Sequence, residues 1–231
     1  GYEVSRPWDF NDFSFKNGTT KHSQIPFTPD EKTLVNLLED TLHADVTEVN
    51  NFSEELNGSI HSQATDSLLR IMMHRSDNFF AEQSLLMVSQ RLIGTMDDRK
   101  VIDTLLATDY KDMPQKPHWV DGSGLSRYDL FTPKDFIFIL NKMKNDFGME
   151  RIKNILPTGG TGTISNYYRS DSGYIFVKTG TLNGVVALSG YLYTKKNKLL
   201  LFSILVNNHT SSATSIRQGI EKFIQSIRNR F

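Results

Sequence analysis

Residues 173–206, GYIFVKTGTLNGVVALSGYLYTKKNKLLLFSILV, decide how this chain folds. Three apolar runs stand in that stretch, Tyr174–Lys178, Val185–Tyr193 and Leu199–Val206, with short connections between them. The second and third are apolar at nearly every position, which marks strands covered on both faces. An antiparallel meander with helices on each side is therefore expected. Just after it, TSIRQGIEKFIQSIRNRF puts Ile216, Ile220, Phe223, Ile227 and Phe231 on one helical stripe, which closes the chain as a helix lying on the sheet.

The residues before the meander read as helices. TPDEKTLVNLLEDTL offers Thr28 as N-cap and Pro29 as first helical residue, with Leu34, Leu37, Leu38 and Leu42 on one face. DSLLRIMMHRSDNFFAEQSLLMVSQRL predicts two helices with a polar turn at Ser76–Asn78 between them. DDRKVIDTLLATD and TPKDFIFILNKMKND predict two more, the second opened by Thr132 and Pro133. Residues 1 to about 29 show no sustained period and read as irregular, and residues 46–62 are polar and break the pattern.

Composition narrows the function classes. Lys plus Arg equals Asp plus Glu, 26 each, so no net field draws the chain to a polyanion, and no basic cluster interleaved with aromatics suggests nucleic acid. The sequence has no cysteine, which removes disulfides, thiolate metal sites and a Cys nucleophile together. Its longest apolar runs fall far short of the roughly 20 residues that a transmembrane helix needs.

Two short motifs carry chemistry. Lys178-Thr179-Gly180 ends an apolar strand, and Ser76-Asp77-Asn78 forms a turn between two apolar helices. Each alone is weak, because strands often end in a solvated lysine and because Ser, Asp and Asn are ordinary helix caps. Together, and in this order, they are two of the three parts of a known serine acyl-transfer set whose third part is Ser-x-x-Lys.

With LLRIMMHRSDNFFAEQ, DGSGLSRYDLFTP and VKTGTLNGVVALSGYL all present, residues 60–229 resemble the D-alanyl-D-alanine carboxypeptidase/endopeptidase family of low-molecular-mass penicillin-binding proteins, the S13 peptidases. The Asp121–Ser126 segment makes this more specific than the two short motifs, since class A β-lactamases do not carry it there. The resemblance implies an α+β fold of the β-lactamase/transpeptidase kind, an antiparallel sheet flanked by helices on both faces. It implies a serine hydrolase without cofactor or metal, acting on D-Ala-D-Ala peptides of peptidoglycan and acylated by β-lactam antibiotics. A periplasmic or cell-envelope location, after export, goes with that substrate.

The roles implied follow acyl-transfer chemistry. Ser76 relays a proton to the leaving amine, and Asn78 hydrogen-bonds the substrate amide. Lys178 supplies positive charge to the proton network and attracts the substrate's terminal carboxylate. Thr179 and Thr181 bind or flank that carboxylate, Gly180 lets substrate backbone approach, and the Thr181 N–H forms half of an oxyanion hole. Asp121 and Ser123 belong to a loop bordering the cleft, with Asp121 accepting hydrogen bonds from the loop's own backbone. LPTGGTGTI, residues 156–164, lacks the Lys-Ser/Thr of a phosphate loop and is expected to be a flexible cleft wall. His61, His74 and Asp66 fit no metal-ligand spacing.

The third motif is missing. None of the 15 lysines has a serine three residues before it, and the single aliphatic hydroxyl at that offset, Thr108 before Lys111, ends a helix instead of opening one. The nucleophile and its lysine base are therefore not in this chain. Residues 60–231 read as the C-terminal part of a transpeptidase-like domain, and residues 1–59 as an irregular segment plus helix left from an inserted module. An inactive relative that binds peptidoglycan is the alternative. A β-lactamase would need a deacylating glutamate, for which Glu82 and Glu150 are poorly placed in the sequence.

Overall fold

The computed structural model describes residues 2–7, 10–18, 25, 27–49, 58–59 and 61–231. They fall into two compact units, Gly1–Ile60 and His61–Phe231. In the smaller unit β1 (Tyr2–Ser5) and β2 (Ser14–Asn17) pair antiparallel, Tyr2 opposite Asn17. This hairpin stands where irregular structure was expected. β2 reads SFKN with all four residues exposed, so no apolar alternation announces it. The same expectation for residues 8–9, 19–24 and 26, and that of a polar break across 50–57, lie outside the described residues. α1 (Glu31–Leu42) begins later than Pro29 because Asp30 is the cap, its carboxylate accepting from Thr33 N at 2.7 Å. Thr28 is held instead by the Asn11 amide, through Thr28 N to Asn11 Oδ1 at 2.8 Å and Asn11 Nδ2 to Thr28 O at 2.6 Å.

The larger unit is built on the meander. β3 (Ile175–Leu182), β4 (Val185–Tyr193) and β5 (Leu199–Asn207) lie in the order β3-β4-β5, antiparallel, with Lys178 opposite Ser189 and Gly190 opposite Phe202. The side-chain period of two sorts each strand between two cores. Ile175, Val177, Val186, Leu188 and Leu192 face Ile220 and Ile224 of α6 (Ala213–Arg230). Phe176 and Tyr191 face Leu140 and Ile152 of α5 (Pro133–Ile155). Both faces are covered, as the unbroken apolar runs required. Tyr191 buries its ring completely and donates its hydroxyl to Leu140 O at 2.6 Å, which ties β4 to α5 without leaving a buried donor unpaired.

β3 runs four residues past Lys178, where the apolar signal ends. Its polar half, Lys178–Thr181, is held by pairing with Ser189–Val186 of β4 and not by its own composition.

α2 (Thr65–Arg75) and α3 (Asn78–Ile93) meet at the polar turn as predicted. α2 is fixed on α5 by a two-pronged ion pair, Arg151 Nε and Nη2 to Asp66 Oδ1 at 2.9 and 2.7 Å. α4 (Asp98–Ala107) packs Val101 and Ile102 against Leu85 of α3. The joint between α3 and α4 is held by the buried Ser89 hydroxyl, which donates to Thr95 O at 2.6 Å and accepts from Asp97 N at 2.9 Å.

Thr132 and Asp135 form a reciprocal cap at the start of α5. The helix outlasts the expected end near Asp146 because Gly148, at φ 74° and ψ 157°, makes a sharp break after which the turns resume to Ile155.

Candidate active site

The turn between α2 and α3 is only two residues long because each does one job. Ser76 ends α2 in the left-handed conformation (φ 53°, ψ 53°), and Asp77 caps α3 by accepting from Phe80 N at 3.0 Å. Asp77 is thus the cap that its residue type suggests, while the Ser76 hydroxyl is left for another partner. That partner is Lys178. Its Nζ donates to Ser76 Oγ at 2.7 Å and to Thr179 O at 2.7 Å, across 102 residues of sequence in the first case. Burial pushes the Lys178 amine below the usual lysine range, since a cation is poorly solvated there.

β3 presents two sides at this point. Lys178 reaches toward α2. Thr179 donates to Thr163 Oγ1 at 2.9 Å, in the 3-10 turn Gly162–Ile164, and Thr181 Oγ1 accepts from Arg217 Nη2 of α6 at 2.5 Å. The outer edge of β3 is also defined. Val177 N donates outward to Pro157 O at 3.0 Å, so the period of two directs the N–H groups of Thr179 and Thr181 to that same edge, where no further strand pairs among the described residues. A Cβ on Gly180 would meet Ala187 Cβ of β4 at 3.2 Å, so its crowding comes from the sheet.

The glycine-rich wall departs from expectation. It is packed: a Cβ on Gly159 would lie 1.9 Å from Tyr168 O, and Thr158 bridges to Phe176 of β3. Such close backbone contact is the opposite of the flexible wall expected.

The Asp121–Ser126 loop is built around carboxylates. Asp121 accepts from Gly124 N at 2.6 Å and Ser126 N at 2.7 Å. Ser123 Oγ accepts from Leu125 N at 3.4 Å, so both residues serve the loop's own turns. From sequence Glu82 is only a poorly placed candidate for a deacylating base. Its carboxylate instead clamps Gly122 N and Ser123 N, each at 3.0 Å. It lies four residues after Asn78, on the same face of α3, which is the signal that ties the loop to the Ser-Asp-Asn turn. Arg127 Nη2 donates to Asn183 O in the β3–β4 turn at 3.3 Å, so the loop also reaches the end of β3.

Glu82→Gln replaces one of those acceptors with an amide N–H facing a backbone N–H. It is expected to cost about 1–2 kcal/mol and to speed hydrogen exchange at Gly122 and Ser123. Unchanged exchange at those two amides would contradict the clamp.

Asp129 gives the loop a pH response. Its Oδ1 accepts from Val120 N at 2.7 Å, while Oδ2 is buried without a donor. Burial, reinforced by the neighbouring Asp121 carboxylate and opposed by the Val120 N–H, pushes its pKa up from 3.8 to about 6. Between those values the folded chain holds a proton that the unfolded chain releases, so this group adds stability as pH falls from about 6 toward 4. Asp129→Asn fixes the neutral form. It is expected to raise the thermal midpoint relative to wild type near pH 7 and not near pH 4, and an equal difference at both would refute the assignment.

A groove of about 490 Å³ between α3, α4 and α5 is lined by Met87, Leu92, Tyr110 and Phe147 among others, and by none of the residues above. Ser76 and Lys178 meet on the α2 side of β3, and Thr179 and Thr181 stand on its α6 side, all beside the open edge of the strand.

Known proteins resemble this chain in sequence and in fold. The sequence pattern of the D-Ala-D-Ala carboxypeptidase 3 (S13) family matches residues 40–227. The chain is 31% identical over 115 residues to the penicillin-sensitive carboxypeptidase A of Dictyostelium discoideum, covering 46% of this chain and 22% of that protein. It is 29% identical over 152 residues to carboxypeptidase DacB of Mycolicibacterium smegmatis, covering 61% and 33%. The chain thus spans about a third or less of these two relatives. The crystal structure of penicillin binding protein 4 from Haemophilus influenzae, complexed with a β-lactam, superposes with a TM-score of 0.66 at 21% identity, over 100% of this chain and 58% of that one. That likeness shows the fold, mixed helices on an antiparallel sheet.

Proposed function

Because the chain belongs to the D-Ala-D-Ala carboxypeptidase 3 (S13) family, we propose that it forms two walls of a serine acyl-transfer site acting on D-Ala-D-Ala ends of peptidoglycan stem peptides. The observation that carries this reading is the 2.7 Å contact between Lys178 Nζ and Ser76 Oγ, which joins the Lys-Thr-Gly strand to the Ser-Asp-Asn turn. Ser76, held by an ammonium group, is placed to pass a proton to the leaving amine. Asn78, on the first turn of α3, holds the substrate amide. The Thr181 N–H, on the open edge of β3, receives the developing oxyanion, an interaction whose loss typically costs about 100- to 1000-fold in rate.

The nucleophile and its lysine base would come from a segment outside these 231 residues, since no Ser-x-x-Lys occurs in them. Residues 60–231 would then be the C-terminal part of the transpeptidase-like domain, with 1–59 a remnant of an inserted module. No cofactor enters the scheme. Its substrate places the protein in the periplasm or cell envelope, with β-lactams as acylating inhibitors.

The test is release of D-alanine from diacetyl-L-lysyl-D-alanyl-D-alanine by the polypeptide that carries these residues. Release abolished by benzylpenicillin is expected. Binding of the peptide without release would favour the other reading that the missing motif raises, an inactive relative that holds peptidoglycan.

A further inference from the structure

Lys178 is an incomplete answer to how a terminal carboxylate would be held. Two of its three N–H donors are committed, to Ser76 Oγ and Thr179 O, on the side of β3 that faces α2. Thr179 and Thr181 alternate to the other side, toward Thr163 and α6. A carboxylate seated between those two threonines is thus served from the α6 side. The cation there is Arg217. One N–H of its guanidinium donates to Thr181 Oγ1, which fixes the side chain at the end of the Lys-Thr-Gly strand. Among the described residues no carboxylate lies within ion-pair distance of it, so its remaining donors have no internal anion. Thr163, Thr179 and Arg217 also line one small pocket of about 20 Å³.

We propose that Arg217 is a substrate-binding residue that, with Thr181, takes the terminal carboxylate of the peptide. The inference rests on the functional reading above and deepens it. It divides between two cations the charge that the resemblance gives to Lys178: Lys178 holds the proton network with Ser76, and Arg217, beside the threonines of the strand, recognises the anion. A guanidinium suits this, because its planar fork matches a carboxylate with two parallel N–H donors and its charge persists at any working pH. The alternation of β3 keeps the two cations on opposite sides of the strand, so the carboxylate is drawn away from the reacting centre.

The experiment measures the Kd of the protein for N-acetyl-D-alanyl-D-alanine and for its C-terminal amide, by calorimetry, for wild type, Arg217→Ala and Arg217→Lys. Wild type is expected to prefer the free acid by about tenfold. Arg217→Ala is expected to lose that preference while keeping its affinity for the amide, which also reports that the site remains folded. Arg217→Lys retains part of the preference. A preference that survives Arg217→Ala, or wild type binding both peptides equally, overturns the role of Arg217. If wild type binds neither peptide, the peptide-site reading itself fails and the inference falls with it.

Discussion

Gly190→Val is expected to leave little folded protein. Gly190 lies in the middle of β4, opposite Phe202 on one side and Val177 on the other. A Cβ built there would sit 2.1 Å from Phe176 O and 2.8 Å from Val177 Cα. Both are backbone atoms of a neighbouring paired strand, so neither can swing aside as a flexible side chain would. Relief requires β3 and β4 to separate at the point where both apolar cores meet the sheet. The cost is at least about 3 kcal/mol, a large part of the stability of an ordinary domain. A urea midpoint within experimental scatter of wild type would contradict this register.

Lys178→Met makes the second large effect, and it acts on function in place of stability. The substitution removes the ammonium that bridges Ser76 Oγ and Thr179 O. Acylation by benzylpenicillin, measured on the polypeptide that carries the acylated serine, is expected to fall by about 100-fold or more. The folded protein is expected to remain stable within about 1 kcal/mol, because burial works against the ammonium and the thioether chain fits the same space.

The pH dependence follows from the same burial. The amine is pushed down in the folded state, so in the window between the folded and unfolded values the unfolded chain binds more protons, and stability rises with pH there. Activity moves the other way. The site loses its cation as pH rises through a value below the ordinary lysine range, and the alkaline fall in acylation begins earlier than a solvated lysine would give. A Lys178→Met protein that acylates within tenfold of wild type would remove Lys178 from the mechanism.

The architecture was legible where burial imposes a period. The β3–β5 meander and the α6 stripe follow from apolar spacing, because both faces of the sheet are covered and each element carries its full apolar signal. Elements defined by partners were not. The polar half of β3 is a strand only because β4 lies beside it, and β2 is a four-residue strand, SFKN, without apolar alternation, set by its pairing with β1. The start of α1 went to Asp30 because Asn11, far away in sequence, engages Thr28.

The site divides along the same line. Ser76, Lys178 and Thr179–Thr181 could be picked out because they sit in short contiguous motifs. Glu82, Thr163 and Arg217 could not, since each acquires its place through a contact with a residue 40, 16 and 36 positions away. A glutamate on a helix and an arginine on another have no local mark. Only the fold brings them to the loop and to the strand.

The proposed site has two walls in these residues and takes its nucleophile from outside them. Intact mass and peptide mapping of the polypeptide that carries them, before and after benzylpenicillin, test this most directly. The expected result is one stable adduct on a polypeptide heavier than 26.3 kDa, mapped to a serine outside residues 1–231. An adduct on Ser76, or none on any polypeptide that contains this sequence, would contradict it.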